Sequence, residues 1–184
     1  MKILLETALA YVSTNMDDLV LVMLLFAQSR GLPVKIKIAA GKYLGTAILM
    51  AGSILGALGA GLLPDMAVRL LGLVPLGMGI YQWIRGAAQE EDEPPAMAGI
   101  WGATILTVVN GADNLGVYIP LFAGYGAGDF FITALVFAAM TALWCVLGNT
   151  LAGLPAVAGM IRRYRRILVP GVLVVLGVLV MMGL

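Results

Sequence analysis

The chain has 184 residues, of which 61% are hydrophobic and only 11% are charged, with a formal net charge of +1. This composition is typical of an integral membrane protein and excludes an ordinary soluble domain. The absence of histidine and the single cysteine, Cys145, exclude His-ligated metal sites, His-based catalytic triads and an internal disulfide. We therefore expect one all-helical transmembrane domain over residues 1–184.

The hydrophobic segments have room for about six membrane-spanning helices. The N-terminal segment has Lys2 and the small residues Ala8 and Ala10, as a signal peptide would. Cleavage after ten residues would leave too short an apolar region, and Glu6 interrupts it. We expect it to be retained as the first span. The predicted spans cover Ile3–Ala27, Ile38–Leu63, Met66–Ile84, Ala98–Ala123, Phe130–Leu154 and Ile167–Leu184.

The basic residues indicate the orientation of the spans. The predicted loops at 28–37, 85–95 and 162–166 contain 8 of the 11 lysine and arginine residues and lie on one side of the membrane. The excess of positive charge assigns these loops to the cytoplasm, so both termini face outside. The acidic run Glu90–Glu93 is expected to be a solvated loop, with cation gathering at the cytoplasmic entrance as the alternative. The arginines of 162–166 are expected to set topology and to contact anionic lipid.

Two acidic motifs interrupt the hydrophobic segments. Ser13–Asp18 lies near the middle of the first span, and Asn110–Asn114 lies near the middle of the fourth. A charged carboxylate at the bilayer centre costs about 2.5–3.5 kcal/mol, so Asp17, Asp18 and Asp113 together would cost roughly 8–10 kcal/mol. Such groups are normally turned inward, paired, protonated or neutralised by a bound cation.

The spacing of these residues predicts a cation site. On a regular helix Asn110, Asp113 and Asn114 share one face, and Asn15 and Asp18 lie close together. Oxygen ligands with negative charge on two facing helices are suited to a metal cation. The predicted metal ligands are Asn15, Asp17, Asp18, Asn110, Asp113 and Asn114.

The two motifs could also act in other ways. Gly111 and Gly116 permit a local break in the fourth span, which would free backbone carbonyls as further ligands. The alternative to a cation site is a polar clamp in which the Asp and Asn side chains are hydrogen-bonded only for helix packing. Three aspartates with few basic partners favour the cation site.

The two halves of the chain repeat each other. With three spans in each half, residues 96–184 would be inverted relative to residues 1–88, and the acidic loop would connect them. An inverted repeat with polar motifs at the midplane is a plan used by secondary transporters, with alternating access about the site. The repeat is asymmetric at Asp17, whose equivalent is Ala112. The matches are Asn15 and Asp18 with Asn110 and Asp113, Leu73–Pro75 with Leu168–Pro170, and Leu25–Ala27 with Leu121–Ala123.

The segments Ser13–Leu19 and Asn110–Ala123 resemble the bacterial cadmium resistance transporter family (CadD), within the lysine-exporter (LysE) superfamily. The resemblance implies a multi-pass protein of the bacterial inner membrane that exports heavy metals, chiefly cadmium, from the cytoplasm. We expect no enzymatic activity, because the sequence has no histidine, no paired cysteines and no obvious nucleophile–base arrangement. The metal expected is the transported divalent cation. Ala112 departs from the family pattern, where glycine is expected more often. Related families of the superfamily move manganese or amino acids.

Three other residues have alternative interpretations. Lys42 lies about one turn inside the predicted second span and is expected to snorkel to the cytoplasmic surface. The alternative is that it pairs with an aspartate in the empty state and yields to an incoming cation. Cadmium favours sulfur ligands, but Cys145 and Met16 are expected to be packing residues. An oxygen-rich site would suit manganese equally well.

The leading functional hypothesis is a secondary exporter of divalent cations, with protons as the possible coupling ion. The alternatives are an exporter of manganese, zinc, amino acids or organic cations, a membrane-embedded enzyme, and an accessory subunit. We expect lipid but no nucleic acid as a partner. The oligomeric state stays open, because the glycine motifs Gly41–Gly45 and Gly52–Gly56 could serve contacts within one chain or between chains.

Overall fold

A computed structural model describes residues 2–60, 65–71, 73–85, 99–152, 154, 170–171, 174–175 and 177–182. Within these ranges the chain forms helices and turns without any strand, which confirms the all-helical prediction for this part. The helices are α1 (Lys2–Thr14), α2 (Met16–Gln28), α3 (Leu32–Ala60), α4 (Asp65–Leu70), α5 (Leu73–Arg85), α6 (Ile100–Asn110), α7 (Leu115–Phe122) and α8 (Ala127–Leu151).

Between two and four segments of the described chain are long and apolar enough to cross a membrane. The helices α3 and α8 each qualify alone. The pairs α1–α2 and α6–α7 qualify if each counts as one bent span, with bends of 64° and 73°. Six spans and the orientation of the termini stay predictions. Most of the predicted sixth span, the acidic run Glu90–Glu93 and the arginines of 162–166 lie outside the described residues.

The structure corrects two of the predicted boundaries. The predicted basic loop over 28–37 is mostly helical, because α3 begins at Leu32. Gly31 has φ of 87°, which favours glycine, and Pro33 is tolerated in the first helical turn. The predicted third span is also interrupted, because a turn at Leu71 follows α4 before α5 begins.

The long helix α3 packs closely against α6 and α7 through its glycines. A Cβ atom on Gly41 would collide with the Ile100 carbonyl of α6, and one on Gly45 would lie 2.6 Å from the Thr107 Cβ. About one turn beyond Gly52, a Cβ atom on Gly56 would lie 2.6 Å from the Ile119 Cδ1 of α7. The glycine face of this helix is therefore used for contacts within the chain.

The second long helix, α8, packs against α1 and α2. Tyr11 of α1 meets Phe137 and Trp144 of α8 edge to face, with ring centroids 5.2 and 5.5 Å apart. Gly148 of α8 lies directly against Val22 of α2. Aromatic contacts of this geometry add to the burial of apolar surface and fix the angle between the helices.

The order of these elements repeats along the chain. A bent helix pair followed by one long helix occurs twice, and α8 begins 95 residues after α3. The Tyr43 hydroxyl donates a hydrogen bond to the Ala138 carbonyl at 2.9 Å, and these two residues are also 95 apart. Contact between equivalent residues is expected where a pseudo-two-fold axis passes between two repeats. These matches favour the inverted repeat, which stays a prediction.

Candidate functional site

The first acidic motif lies at the bend between α1 and α2. The Ser13 and Thr14 hydroxyls both donate to the Ala10 carbonyl at 2.9 Å, and the Asn15 Nδ2 donates to the Tyr11 carbonyl at 3.0 Å. Side chains that bond back to the preceding turn in this way compete with the helical hydrogen bonds and bend the helix. The run Ser-Thr-Asn therefore explains why this span is not straight, which the sequence analysis did not predict.

A tryptophan of α8 covers this first bend. The Trp144 Nε1 donates to the Asn15 carbonyl oxygen at 2.7 Å, and the same oxygen accepts from the Leu19 backbone N–H at 3.2 Å. The carbonyl at the bend is thus doubly satisfied although it is buried. The bend is held in place by α8 as well as by its own side chains.

The second acidic motif forms the turn between α6 and α7. α6 ends at Asn110, and residues 111–114 form turns before α7 begins at Leu115. A Cβ atom on Gly111 would collide with the Leu49 side chain of α3, so only glycine allows this approach. The break permitted by Gly111 is therefore present, although Ala112 stands where the family more often has glycine.

Asn114 connects this turn to α7. It precedes the first residue of α7, and its carbonyl oxygen accepts from the Tyr118 backbone N–H at 2.8 Å. Its side chain is buried. Leu49 of α3 covers this second break as Trp144 of α8 covers the first, and these two covering residues are themselves 95 apart.

Tyr118 joins the two motifs. Its hydroxyl lies 2.6 Å from the Thr14 Oγ1 and accepts from the Asn15 Nδ2 at 2.9 Å. Since the Thr14 hydroxyl already donates to Ala10, the Tyr118 O–H is the donor in their shared bond. The side chain is fully buried and interacts electrostatically with Asp18 and Asp113. One phenol therefore couples the first bend to the first turn of α7.

A buried ion pair connects α2 to α3. The Lys42 Nζ lies 2.5 Å from the Asp18 Oδ2, and the two residues are only 1% and 3% exposed. Asp18 lies in the first turn of α2, where the helix dipole also favours a negative charge. Each charge is costly in the membrane interior, and each is the charge that offsets the other.

The pair is in close contact without the alignment of a hydrogen bond. Neither the Asp18 Oδ2 nor the Lys42 Nζ has a hydrogen-bond partner in the part of the chain that the structure describes. The Thr46 Oγ1, one turn further along α3, is a third buried atom of this kind. Buried polar groups are normally satisfied, and the Asp18 and Lys42 atoms satisfy each other as an ion pair.

The prediction that Lys42 snorkels is wrong. Because α3 begins at Leu32, Lys42 lies ten residues inside the helix, about 15 Å at 1.5 Å per residue. Its side chain is enclosed beside the close contacts of Gly41 and Gly45 with α6. The alternative in the sequence analysis, pairing with an aspartate, is what the structure has.

The structure brings together some of the predicted ligands. Asn15, Asp18 and Asn114 are buried, whereas Asn110 is partly buried and Asp113 is exposed. The side chain of Asp17 lies outside what the structure describes. Among the described residues, no group of three or more His, Cys, Asp or Glu side chains could hold a metal ion. The two motifs occupy a bend and a turn, so the regular-helix arrangement is wrong.

The two sulfur-containing candidates differ in their surroundings. Cys145 is buried in an apolar cluster with Val22, Phe26 and Ile38, and its thiol interacts electrostatically with the Lys42–Asp18 pair. Met16 packs against the larger apolar cluster. Both positions agree with the expected packing roles.

Sequence reasoning missed two residues of this site. Tyr118 and Trp144 both hydrogen-bond to Asn15 of the first motif, yet each lies in an apolar run where an aromatic residue is ordinarily a packing residue. A possible signal for Tyr118 was its position four residues after Asn114, which places it on the same face of a helix.

A family model described as cadmium resistance transporter matches residues 11–183 of the chain. The match includes both acidic motifs, Lys42 and every residue of the hydrogen-bond network from Tyr11 to Trp144. No curated protein and no solved structure matched the chain.

Proposed function

The chain belongs to the cadmium resistance transporter family, and we propose that it is a secondary transporter that exports divalent heavy-metal cations, cadmium first, from the cytoplasm. The observation that carries this proposal is Asp18, a carboxylate buried at a helix bend and offset by the buried ammonium of Lys42. It is a multi-pass protein of the bacterial inner membrane, and its substrate is a divalent metal ion.

The arrangement of the acidic motifs supports a metal cation as cargo. A carboxylate in the membrane interior is stable only when a positive charge or a proton offsets it. Carboxylate and amide oxygens supply the ligands, and backbone carbonyls at a broken helix can add to them. The proposed ligands are Asn15, Asp17, Asp18, Asn110, Asp113 and Asn114, contributed by both bent helix pairs.

The two bent helix pairs support alternating access. Each pair breaks beside an acidic motif, and each break is covered by a long helix, through Trp144 or Leu49. Tyr118 couples the first break to α7. Movement of one bent pair against its long helix would open the site to one side at a time, as in transporters built from inverted repeats.

The driving force is exchange with protons. Clustered carboxylates that lose a divalent cation outside can take up protons for the return. In proteoliposomes loaded with cadmium, an imposed pH gradient should change the rate of metal efflux severalfold. Efflux with no response to the gradient would exclude proton exchange and leave metal transport intact.

Cadmium accumulation in cells that express the protein tests the proposal. Wild type should lower accumulation, while Asp17→Asn and Asp113→Asn should abolish this effect at matched membrane protein levels. Asp129→Asn is the matched control, because the Asp129 carboxylate accepts from the Gly126 backbone N–H at the start of α8, which asparagine can also do. The control should behave as wild type.

The same cells rank the possible cargoes. If wild type does not lower cadmium accumulation but lowers zinc or manganese, the site is a divalent-cation site of different preference. If none of the three metals responds, metal export is refuted, and export of amino acids or organic cations is the hypothesis to test. Equal loss of activity in Asp129→Asn would show that the variants act through general damage.

A further inference from the structure

The Lys42 ammonium contacts the Asp18 carboxylate in the interior of the protein. The two side chains belong to different helices, so their contact depends on how α2 lies against α3. Lysine is a point charge on a flexible four-carbon stem, which lets it leave one acceptor without movement of the backbone. The contact is an ion pair between two buried side chains rather than a covalent or backbone link, so its partners can be changed one at a time.

The surroundings of the pair explain why a resident cation is needed. The part of α2 that follows Asp18 is buried from Leu19 to Met23, and these residues are apolar. Cys145 of α8 and Tyr11 of α1 interact electrostatically with Asp18, but neither brings a positive charge. Among the described residues, Lys42 is the cation paired with this carboxylate.

A carrier must return to its starting conformation after it has released its cargo. During that step Asp18 would remain ionised in the protein interior after the metal that offset its charge had left. We propose that Lys42 is a tethered substitute for the metal, which pairs with Asp18 during the empty return step and is displaced when a cation binds. This role rests on the proposed transport function and adds a residue that sets both cation affinity and the rate of the return step.

The repeat gives a second, independent reason to single out this residue. The position of α8 that corresponds to Lys42 is Phe137, an apolar core residue. Asp113, the equivalent of Asp18, is exposed in this conformation, whereas Asp18 is buried. The lysine is therefore present in the half whose carboxylate is enclosed, which is the carboxylate that needs a substitute charge.

Two transport modes separate this role from a structural one. Net efflux of cadmium from proteoliposomes requires the empty return step, whereas exchange of isotopic cadmium across the membrane requires only the loaded carrier. In Lys42→Met, net efflux should fall by tenfold or more, because Asp18 is then uncompensated in the empty carrier, and exchange should stay within about threefold of wild type. Cadmium binding to the purified variant should tighten by about threefold or more, because the competing ammonium is gone.

Controls are available on the same residue and helix. Lys42→Arg keeps the charge and should keep net efflux within a few-fold of wild type. Lys37→Met removes a lysine whose side chain is exposed on the same helix, and it should leave both modes unchanged. If Lys42→Met does not fold, Lys42→Gln takes its place, with the same expectations.

The outcomes are distinct. Unchanged net efflux in a folded neutral variant overturns the role of Lys42. Equal loss of net efflux and exchange, or failure of both neutral variants to fold, shows a structural role and also overturns it. If wild type shows neither efflux nor exchange of cadmium, zinc or manganese, the proposed transport function fails first.

Discussion

The close contact between α3 and α6 at Gly45 predicts that a larger residue at this position lowers the free energy of unfolding. In Gly45→Ala the new Cβ atom would lie 2.6 Å from the Thr107 Cβ, 2.7 Å from its Cγ2 and 3.1 Å from the Thr104 carbonyl oxygen. Carbon atoms pack best at about 3.5–4.0 Å, so α3 must move away from α6 by several tenths of an ångström. Overpacking of this kind costs about 1–3 kcal/mol.

A second glycine of the same helix isolates that cost. In Gly52→Ala the nearest atom to the new Cβ is the Leu115 Cδ2 at 3.9 Å, an ordinary contact. Both substitutions gain the same helix preference of alanine, worth up to about 1 kcal/mol. The difference in unfolding free energy between the two variants is therefore the overpacking cost, about 1–3 kcal/mol, in favour of Gly52→Ala.

Thermal unfolding in detergent micelles, followed by tryptophan fluorescence, measures this difference. For a chain of this size about 1 kcal/mol corresponds to roughly 2–4 °C, so the midpoints should differ by about 2–12 °C. Gly45→Ala should unfold at the lower temperature. Equal midpoints, or a higher midpoint for Gly45→Ala, would refute the close packing of α3 on α6.

Three further substitutions test the network around the motifs. Tyr118→Phe removes the hydroxyl that bonds Thr14 and Asn15, which should lower stability by about 1 kcal/mol and slow cadmium efflux from vesicles. Unchanged stability and efflux would contradict the link between the motifs. Trp144→Phe keeps the ring but loses the donor to the Asn15 carbonyl, with an expected cost of about 1 kcal/mol in thermal unfolding; no shift would show that the bend is held without it. Cys145→Ala should keep cadmium efflux within about twofold of wild type, because the residue packs in an apolar cluster. Selective loss of cadmium efflux with manganese efflux retained would instead identify a sulfur ligand.

The sequence predicted the fold best where hydrophobic length alone decides it. α3 and α8 are long apolar segments, and both were predicted. The prediction for α8 is within three residues at each end, whereas α3 begins six residues before the predicted start at Ile38. Glycine spacing predicted a close helix contact, but the partners of Gly41 and Gly45 depend on tertiary structure and could not be predicted. The prediction of a loop over 28–37 was wrong. It placed Lys35 and Lys37 in a cytoplasmic loop, whereas Leu32 and Pro33 already begin a helix.

The breaks at the two motifs could be predicted only in part from the sequence. Gly111 signals a break by its residue type, and the break is present. The bend at Asn15 depends on Ser13, Thr14 and Asn15 bonding back to their own helix. Such side chains can also bridge neighbouring helices. The folded chain shows that Thr14 and Asn15 have both uses, because they also bond the Tyr118 hydroxyl of α7.

The Lys42 ammonium was predicted to lie at the cytoplasmic surface, for a reason that extends to other membrane helices. Its depth was counted from Ile38, the start of the apolar run, whereas the helix begins at Leu32 and carries Lys35 and Lys37 in its first turns. The side chain of Lys42 is 1% exposed, so its stem does not carry the ammonium to the surface. It must therefore find an anion inside the protein, and Asp18 is that anion. A basic residue ten positions inside a helix should accordingly be interpreted together with the acidic residues of the other spans, because each is the charge that permits the other to be buried.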